Sequence, residues 1–489
     1  MRNLIDTVVG WVNPQAGLQR HYARKVLERA YEAASPRDGW RVRRAGASAN
    51  ADHVADAAII RGKARALVQN VPYVSAGIEA LVAATVGTGI SPRATGRNSE
   101  KINKLLKKWM AVCDADGRLD YHGLIASAYK AMEQDGEVLI RLRHRKISDG
   151  LPVPLQLQLL EIDWLDSRKT APSGQNQIIN GIEYDPLGAV AAYWLWSQHP
   201  GDMSLLKSFR MESKRVPANQ IIHLYSPARP GQGRGFSRLA PVISRVRDVQ
   251  LYEDAELARK NLESRLSVIA SGDVSQMANP ASYGDAGDPA VRAQQTGDLG
   301  ELGSGSIIQA PPGMTMTVVE PKPSAGYVEY IKFNLHLIAS GMGCTYEQIT
   351  GDMTEVNFSS ARVRLLDFRR NVSQMQWLIL IPKCLIPIHE AFIEAAYLAQ
   401  KIDVRDSSVD FSVPKFDYVN PEQDVKSDLA EISGGLSSVS EKLRQRGYNP
   451  KEVFEELKSD FDELEKLGIL QTLLFLQKGN LPTPNASTK

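Results

Sequence analysis

Cysteine is scarce: Cys113, Cys344 and Cys384 are the only three in 489 residues, and no two stand as a Cys-x-x-Cys pair. An odd number of widely spaced thiols in apolar surroundings excludes a disulfide framework and points to reduced side chains in a cytosolic setting. The eight histidines show no metal-ligand spacing. His389-Glu390, the nearest approach to a zinc-protease helix, lies in an apolar stretch and reads as a core or surface histidine. A Gly-x4-Gly-Lys-Ser/Thr phosphate loop is missing, as is a Gly-x-Ser-x-Gly nucleophile elbow. The expectation is a protein without catalytic site, metal or cofactor, hence not an enzyme. Long hydrophobic runs are missing too. The most apolar stretch, Trp377 to Ile388, is about twelve residues and is broken by Pro382, Lys383 and Pro387, whereas a membrane span needs about twenty. Met1 to Val12 has no uninterrupted apolar core of a secretory signal. A soluble chain with no membrane partner is expected.

Charge is present in both signs and unevenly distributed. The net charge is +2, yet residues 1–112 carry 18 Lys and Arg against 8 Asp and Glu, while residues 420–489 carry 9 against 12. The segment between them, 113–419, has 31 against 36. A tight DNA binder is usually basic throughout, because its affinity comes from neutralising phosphates. The basic first third reads either as a solvated helical face or as a surface for an anionic partner.

Periodicity predicts a helix over 18–34 in an N-terminal arm, then helix from Ala51 to Ala84 with interruptions at Asn70 and Pro72. Ser99 to Cys113 is an amphipathic helix with Ser99 as N-cap and Ile102, Leu105, Leu106 and Trp109 on one face. Leu119 to Gln134 is another. The pattern then alternates. Val138 to Arg143, Leu155 to Ile162 and Val216 to Tyr225 read as strands, and Gly181 to Trp196 as a hairpin turning at Asp185-Pro-Leu-Gly188. Residues 137–226 are thus a mostly antiparallel sheet packed on helices, an α+β body.

Pro230-Gly-Gln-Gly-Arg-Gly-Phe-Ser237 opens a long helix running to about Leu266, with Pro241 in its first turn. Gly231, Gly233 and Gly235 have the wrong spacing for a dinucleotide fingerprint; they leave an anion site at a helix N-terminus or a plain tight turn. The helix has a narrow apolar stripe of Val242, Val246, Val249, Leu262 and Leu266 and is otherwise charged, which suits packing in a ring or bundle. Residues 271–305 are Gly-, Asp-, Ala- and Ser-rich without periodicity. Ser306 to Pro321 alternates as a β-pair, Tyr327 to Met342 is helical, and Gly343 to Phe358 is polar and turn-rich. Ser359 to Ala399 is a long helical pattern weakened at Pro382 and Pro387. Asp410 to Val413 is a short strand, and 420–489 is helical before a polar tail.

Several blocks, in order, resemble the lambda-type family of phage portal proteins. They are Arg61-Gly-Lys-Ala-Arg65 through Gly77-Ile-Glu-Ala-Leu to Gly87-Thr-Gly89; Gly181-Ile-Glu-Tyr-Asp-Pro-Leu-Gly188; and Val216-Pro-Ala-Asn-Gln-Ile-Ile-His223 through the glycine turn to Leu239-Ala-Pro-Val242. Ile338-Ala-Ser-Gly-Met-Gly343-Cys-Thr-Tyr346, Asn357-Phe-Ser-Ser-Ala-Arg362 and the closing pair Ile432 to Gly447 with Val453 to Leu457 complete them. Residues 1–50 and 271–305 depart from the family.

The resemblance implies a multi-domain α+β portal fold of wing, stem, clip and crown around a central channel. On this chain 1–240 would be the arm and wing, 241–270 and 325–342 the two stem helices, and 271–324 the clip. Residues 343–358 would be the tunnel loop, 359–419 the kinked helix and wing return, and 420–489 the crown. It further implies a homo-oligomeric ring, usually dodecameric, at one capsid vertex of the virion, assembled in the host cytoplasm. The ring would pass double-stranded DNA in packaging and ejection. It would meet the terminase large subunit, the major capsid and scaffold proteins, and a head-completion or adaptor protein. Glu347, Asp352, Glu355 and Asn357 would line the constriction, unless they belong to a solvated loop. Arg245, Arg247, Arg259 and Lys260 would give sparse phosphate contacts on the stem, unless they pair between subunits. Two other classes stay open: a nucleic-acid enzyme, which needs a carboxylate or metal cluster, and another ring-forming head-completion or baseplate protein.

Overall fold

The computed structural model describes residues 46–205, 212–264, 267–272, 314–319, 326–354, 357–405, 408–414, 416, 421–446, 448 and 450–469. The helix expected over 18–34, most of the insertion 271–305, Leu266, Glu355 and the polar tail therefore lie outside the described residues. Contacts divide the chain into Met1–Asp52 and His53–Lys489. Of the first unit, 46–52 are described and carry the opening of a helix.

The first half is built from α1 (Ala49–Asn70), α2 (Pro72–Thr85), β1 (Ser91–Thr95), α3 (Ser99–Met110) and α4 (Tyr121–Asp135). Pro72 stands at the start of α2, where a missing N–H costs nothing. Asp120 caps α4 by accepting a hydrogen bond from Gly123 N at 2.8 Å. Ser99 is not the N-cap expected from sequence: it is the first residue of α3, behind Asn98 at φ 60°, and no side chain caps the helix. The predicted apolar face of α3 is nonetheless the inward one, with Ile102, Leu106 and Trp109 buried.

Strands follow: β2 (Glu137–His144), β3 (Leu155–Glu161), β4 (Ala171–Ser173), β5 (Asn176–Ile179), β6 (Ile182–Tyr184), β7 (Val190–Trp196), β8 (Ser213–Pro217) and β9 (Ile221–Tyr225). They form an antiparallel three-stranded sheet, β3-β2-β9, and an antiparallel five-stranded meander, β4 to β8. One face of β2 packs on α4 and the main core through Val138 and Ile140. Leu139, on the other face, joins Leu160, Ile182, Tyr193, Leu195 and Val216 in a smaller core beneath the meander. Alternation along β2 thus splits one strand between two cores.

Next come α5 (Ile243–Ser264), β10 (Ser267–Gly272), β11 (Met314–Val319), α6 (Tyr327–Met342) and α7 (Tyr346–Thr350). β10 and β11 pair antiparallel from Ser267↔Val319 to Gly272↔Met314, so a two-stranded ladder stands between two helices. Pro241 lies two residues ahead of α5, not in its first turn. The chain continues through α8 (Phe358–Met375), a π-helix (Gln376–Leu385), α9 (Ile386–Leu398) and β12 (Ser408–Ser412). The weakness expected at Pro382 is resolved inside the run. The π register takes up the residue that cannot donate, and the helix passes on into α9 without a break. Strand β12 returns to pair with β1, Thr95↔Ser408 to Ser91↔Ser412. Last are α10 (Pro421–Ser433), α11 (Val439–Gln445) and α12 (Pro450–Lys466). No described helix is long and apolar enough to cross a membrane.

Candidate functional site

The two helices flanking the β10–β11 ladder pack on each other at their inner ends. Val246 and Val249 of α5 and Ile338, Ala339 and Met342 of α6 are buried in the main core. Tyr252 stacks on Tyr327 at 5.8 Å between centroids and meets Tyr330 at 4.6 Å. At Gly341 a Cβ would overlap the buried Val242 side chain, so a larger residue there requires Val242 to shift. Of the four basic residues expected to touch phosphate, Arg245 donates to Asn334 Oδ1 at 3.1 Å across the helix pair, and Arg259 pairs with Glu256 one turn earlier. Arg247 and Lys260 are exposed on the same helix. Two of the four are therefore engaged within the chain.

α6 ends at Gly343, held at φ +80°, and Arg238 Nε donates to the Met342 carbonyl at 2.8 Å across that end. Behind Arg238 lies Glu133, fully buried; burial pushes its carboxyl above the ordinary range, and Arg238 and Tyr129 only partly offset this. The Glu133–Tyr129 contact extends through Thr85 Oγ1, 3.2 Å from Tyr129, and the Gln376 amide, which donates to Thr85 O at 2.7 Å. Polar contacts therefore run from the π-helix to the end of α6. A cavity of about 340 Å³ opens beside them, bounded by Glu133, Gln232, Phe236, Arg238 and Gly341.

Beyond Gly343 the polar segment is more ordered than its composition suggested. Thr345 and Gln348 form a reciprocal capping box on α7, and Gly351 closes it at φ 72°. Glu347 sits in the first turn of that helix and pairs with Arg364 of α8. Burial opposes its charge, but its hydrogen bonds and Arg364 prevail and hold the carboxyl below the usual range. Asp352 accepts from Thr354 Oγ1 at 2.6 Å, Thr354 N at 3.0 Å and Tyr346 Oη at 3.2 Å. The Thr354 bonds chiefly keep it ionised. Asn357 is exposed, and its carbonyl accepts from Ala361 N at 3.0 Å as α8 begins. Glu347, Asp352 and Asn357 thus share one segment between α6 and α8.

Sequence reasoning missed the most heavily bonded carboxylate of the body. Glu137 is wholly buried at the start of β2, and Arg234 grips it with Nε to Oε2 and Nη2 to Oε1, both 2.7 Å. His223 Nε2 lies 3.0 Å from Oε2, Gly235 N donates to Oε2 at 3.1 Å, and His53 Nε2 lies 3.3 Å from Oε1. Burial alone would raise the Glu137 pKa; Arg234, then His223 and His53, hold it far below the ordinary range. Arg234 also donates to Asn180 O at 2.9 Å. The glycine-rich turn carries its own arginine into the body to meet an internal anion. Gly235 is part of this fit, since a Cβ there would overlap the Gly136 carbonyl oxygen. The signal lay in the turn itself, an arginine between two glycines.

Glu161, Asp163 and His199 are the one grouping of metal-ligating side chains among the described residues. Arg61 and Arg65 reach Asp163 at 2.9 and 2.7 Å, and Arg65 reaches Glu161 at 3.3 Å, so guanidinium groups already balance these carboxylates.

A family described as phage portal protein, lambda family, matches residues 35–376, spanning every element from α1 to α8. The chain belongs to that family. Among curated relatives of this portal-family chain, the probable portal protein of Halomonas phage phiHAP-1 is 28% identical over 379 residues, 75% of this chain and 71% of that protein. Portal protein B of Escherichia phage lambda is 20% identical over 197 residues, 37% of each chain. Among solved structures, a chain in the neck of a native gene transfer agent particle, computed with C12 symmetry, aligns at TM-score 0.45 with 14% identity over 79% of this chain and 93% of that one. An HK97-family portal protein from Corynebacterium diphtheriae aligns at TM-score 0.37 with 12% identity over 74% and 98%. The family match stops at the head of the π-helix, so α9 to α12 lie beyond it.

Proposed function

We propose that this chain is the subunit of a dodecameric ring that conducts double-stranded DNA through one capsid vertex during packaging and ejection. The observation that carries the reading is the α5–α6 pair. Its inner ends are buried in the core, yet Leu257, Val328 and Phe333 are each about 60% exposed or more, and Leu251 and Leu337 are 49% and 40% exposed. A one-sided helix pair with an apolar outer surface needs a neighbour to cover it, and copies of the same chain meet that need by rotation.

In this reading α1 to β9 are the wing, α5 and α6 the stem, the β10–β11 module the clip, 343–358 the tunnel loop, and α10 to α12 the crown. The terminase large subunit and the adaptor would dock on the ring, and capsid and scaffold proteins would surround it within the virion. A conduit must not hold what it passes. Duplex DNA carries one charge per about 1.7 Å of axis, and a basic lumen would bind it by counterion release. The tunnel-loop carboxylates suit passage, because ring symmetry repeats each one in every subunit. Asp352 offers charge to a lumen more readily than Glu347, which Arg364 already neutralises.

Electron microscopy of the purified protein tests the ring directly: closed rings with an axial channel wide enough for a duplex are expected, and monomers or open filaments would sink the proposal. Joint reversal of Asp352 and Glu355 to lysine should impair DNA passage in rings that still assemble. Unchanged packaging and retention would remove these residues from the lumen.

A further inference from the structure

Several arginines of the body have carboxylate partners: Arg61 and Arg65 with Asp163, Arg215 with Glu183, Arg234 with Glu137. Arg141, Arg143 and Arg145 do not. Arg141 and Arg143 alternate on the face of β2 that begins with Glu137 and Leu139, and Arg145 extends the row past the strand end. The meander covers that face at Leu139, and the row runs out from under it toward solvent: Arg141 and Arg143 are partly buried, Arg145 exposed. Opposite them on β3 stand two neutral amides, Gln158 against Arg141 and Gln156 against Arg143. Arg143 Nε donates to Gln158 Oε1 at 2.8 Å, Arg145 Nε to Gln156 Oε1 at 2.9 Å, and Arg141 Nε is buried with no hydrogen-bond partner. Among the described residues Asp116 is the one carboxylate whose charge is felt, at Arg143, and it is exposed and forms no ion pair with the row. Burial first, and the adjacent guanidinium second, lower the pKa of both Arg141 and Arg143. Three like charges side by side, two of them partly desolvated, are an unfavourable arrangement that an external anion would relieve.

We infer that Arg141, Arg143 and Arg145, steadied by Gln156 and Gln158, form a contact for the sugar–phosphate backbone of duplex DNA. Alternate residues of a strand stand about 6.6–6.8 Å apart. Phosphates of one DNA strand rise about 3.4 Å per nucleotide along the axis but also wind about it, which puts consecutive ones roughly 6–7 Å apart through space, so successive guanidiniums meet consecutive phosphates. With Nε of Arg143 and Arg145 tied to glutamine, the terminal amines of each fork stay available for the two oxygens of a phosphate. Guanidinium and amide donors without a base-reading arrangement make a contact that ignores sequence. This inference rests on the reading of the chain as a handler of duplex DNA, and adds a surface that holds the polymer to a channel that lets it slide.

The test is binding of a short fluorescent duplex of arbitrary sequence to the full-length protein, measured across a salt series. Replacing all three arginines with glutamine should weaken binding and lower the slope of log affinity against log salt by about three, roughly one per contact removed. Arg143→Lys with Arg145→Lys should keep the slope while losing affinity. Gln156→Glu with Gln158→Glu, which leaves every arginine in place, should weaken binding as well, and it decides the matter if the glutamine triple fails to fold. An unchanged slope in folded variants overturns the inference. So does loss of binding to a polyglutamate peptide with duplex binding intact, which would assign the row to an acidic protein. Electron microscopy of the same samples separates the two readings: wild-type protein that forms no rings refutes the channel, whereas the slope reports on the arginine row alone.

Discussion

Glu133 and Glu137 lie four residues apart, at the end of α4 and the start of β2, and both are fully buried. Their titrations nevertheless shift in opposite directions. Around Glu137 the glycine turn supplies Arg234 and a backbone N–H, while β9 and α1 supply histidines, so the charged form has a donor at every approach. Glu133, at the junction with α6, meets Tyr129 and a more distant Arg238 whose Nε is committed to the Met342 carbonyl. Burial therefore wins at Glu133 and loses at Glu137. The lesson is that depth does not decide whether a carboxylate is charged; the donors within reach do. One region is pinned by a compensated charge, and the other, between body and stem, is left with an incompletely compensated one.

The pin should be the costliest to remove. Glu137→Ala leaves Arg234 buried without its anion and should destabilise the fold by about 3–5 kcal/mol in equilibrium denaturation. A loss below about 1 kcal/mol would make the two regions energetically alike. Gly235→Ala forces a methyl against the Gly136 carbonyl and should cost about 1–3 kcal/mol, again by denaturation.

Stability against pH sharpens the contrast. The lowered pKa of Glu137 gives stabilisation that is present above the ordinary value of 4.5 and lost as pH falls below it. The raised pKa of Glu133 favours its protonated form, a contribution present below 4.5 and lost as pH rises through the folded value. Glu133→Gln should therefore gain on wild type as pH rises from 4 to 8, while Glu137→Gln should fall further behind as pH rises toward about 5 and hold level above it. Parallel difference curves would contradict the assignment. The smallest effect is expected at the tunnel loop. Arg364 is half exposed, so Glu347→Gln should change stability by about 1 kcal/mol or less in thermal unfolding.

What was legible in the sequence was what local pattern controls. The Val138–Arg143 alternation became β2, the Asp185–Gly188 turn became the β6–β7 hairpin, and the apolar spacing of Ser99–Cys113 gave the buried face of α3. Residues 137–226 are the antiparallel half of an α+β fold, as that texture suggested. Partnerships across long separations were not legible. Nothing in Arg234 points to Glu137, 97 residues earlier, and the short polar strand Ser91–Thr95 has no alternation to betray it. At the candidate site the residue types were visible, but Arg364 beside Glu347 and the capping box around α7 emerged only from the folded backbone.

The β1–β12 pair carries a consequence in time. Its partners, Thr95 and Ser408, are 313 residues apart. At a synthesis rate of about 5–20 residues per second, β1 leaves the ribosome roughly 15–60 s before β12 exists. Through that interval its edge is open, and a β12 from a neighbouring nascent chain would satisfy it equally well. Translation speed and the crowding of chains on one message thereby become determinants of how many subunits close on themselves before they meet one another.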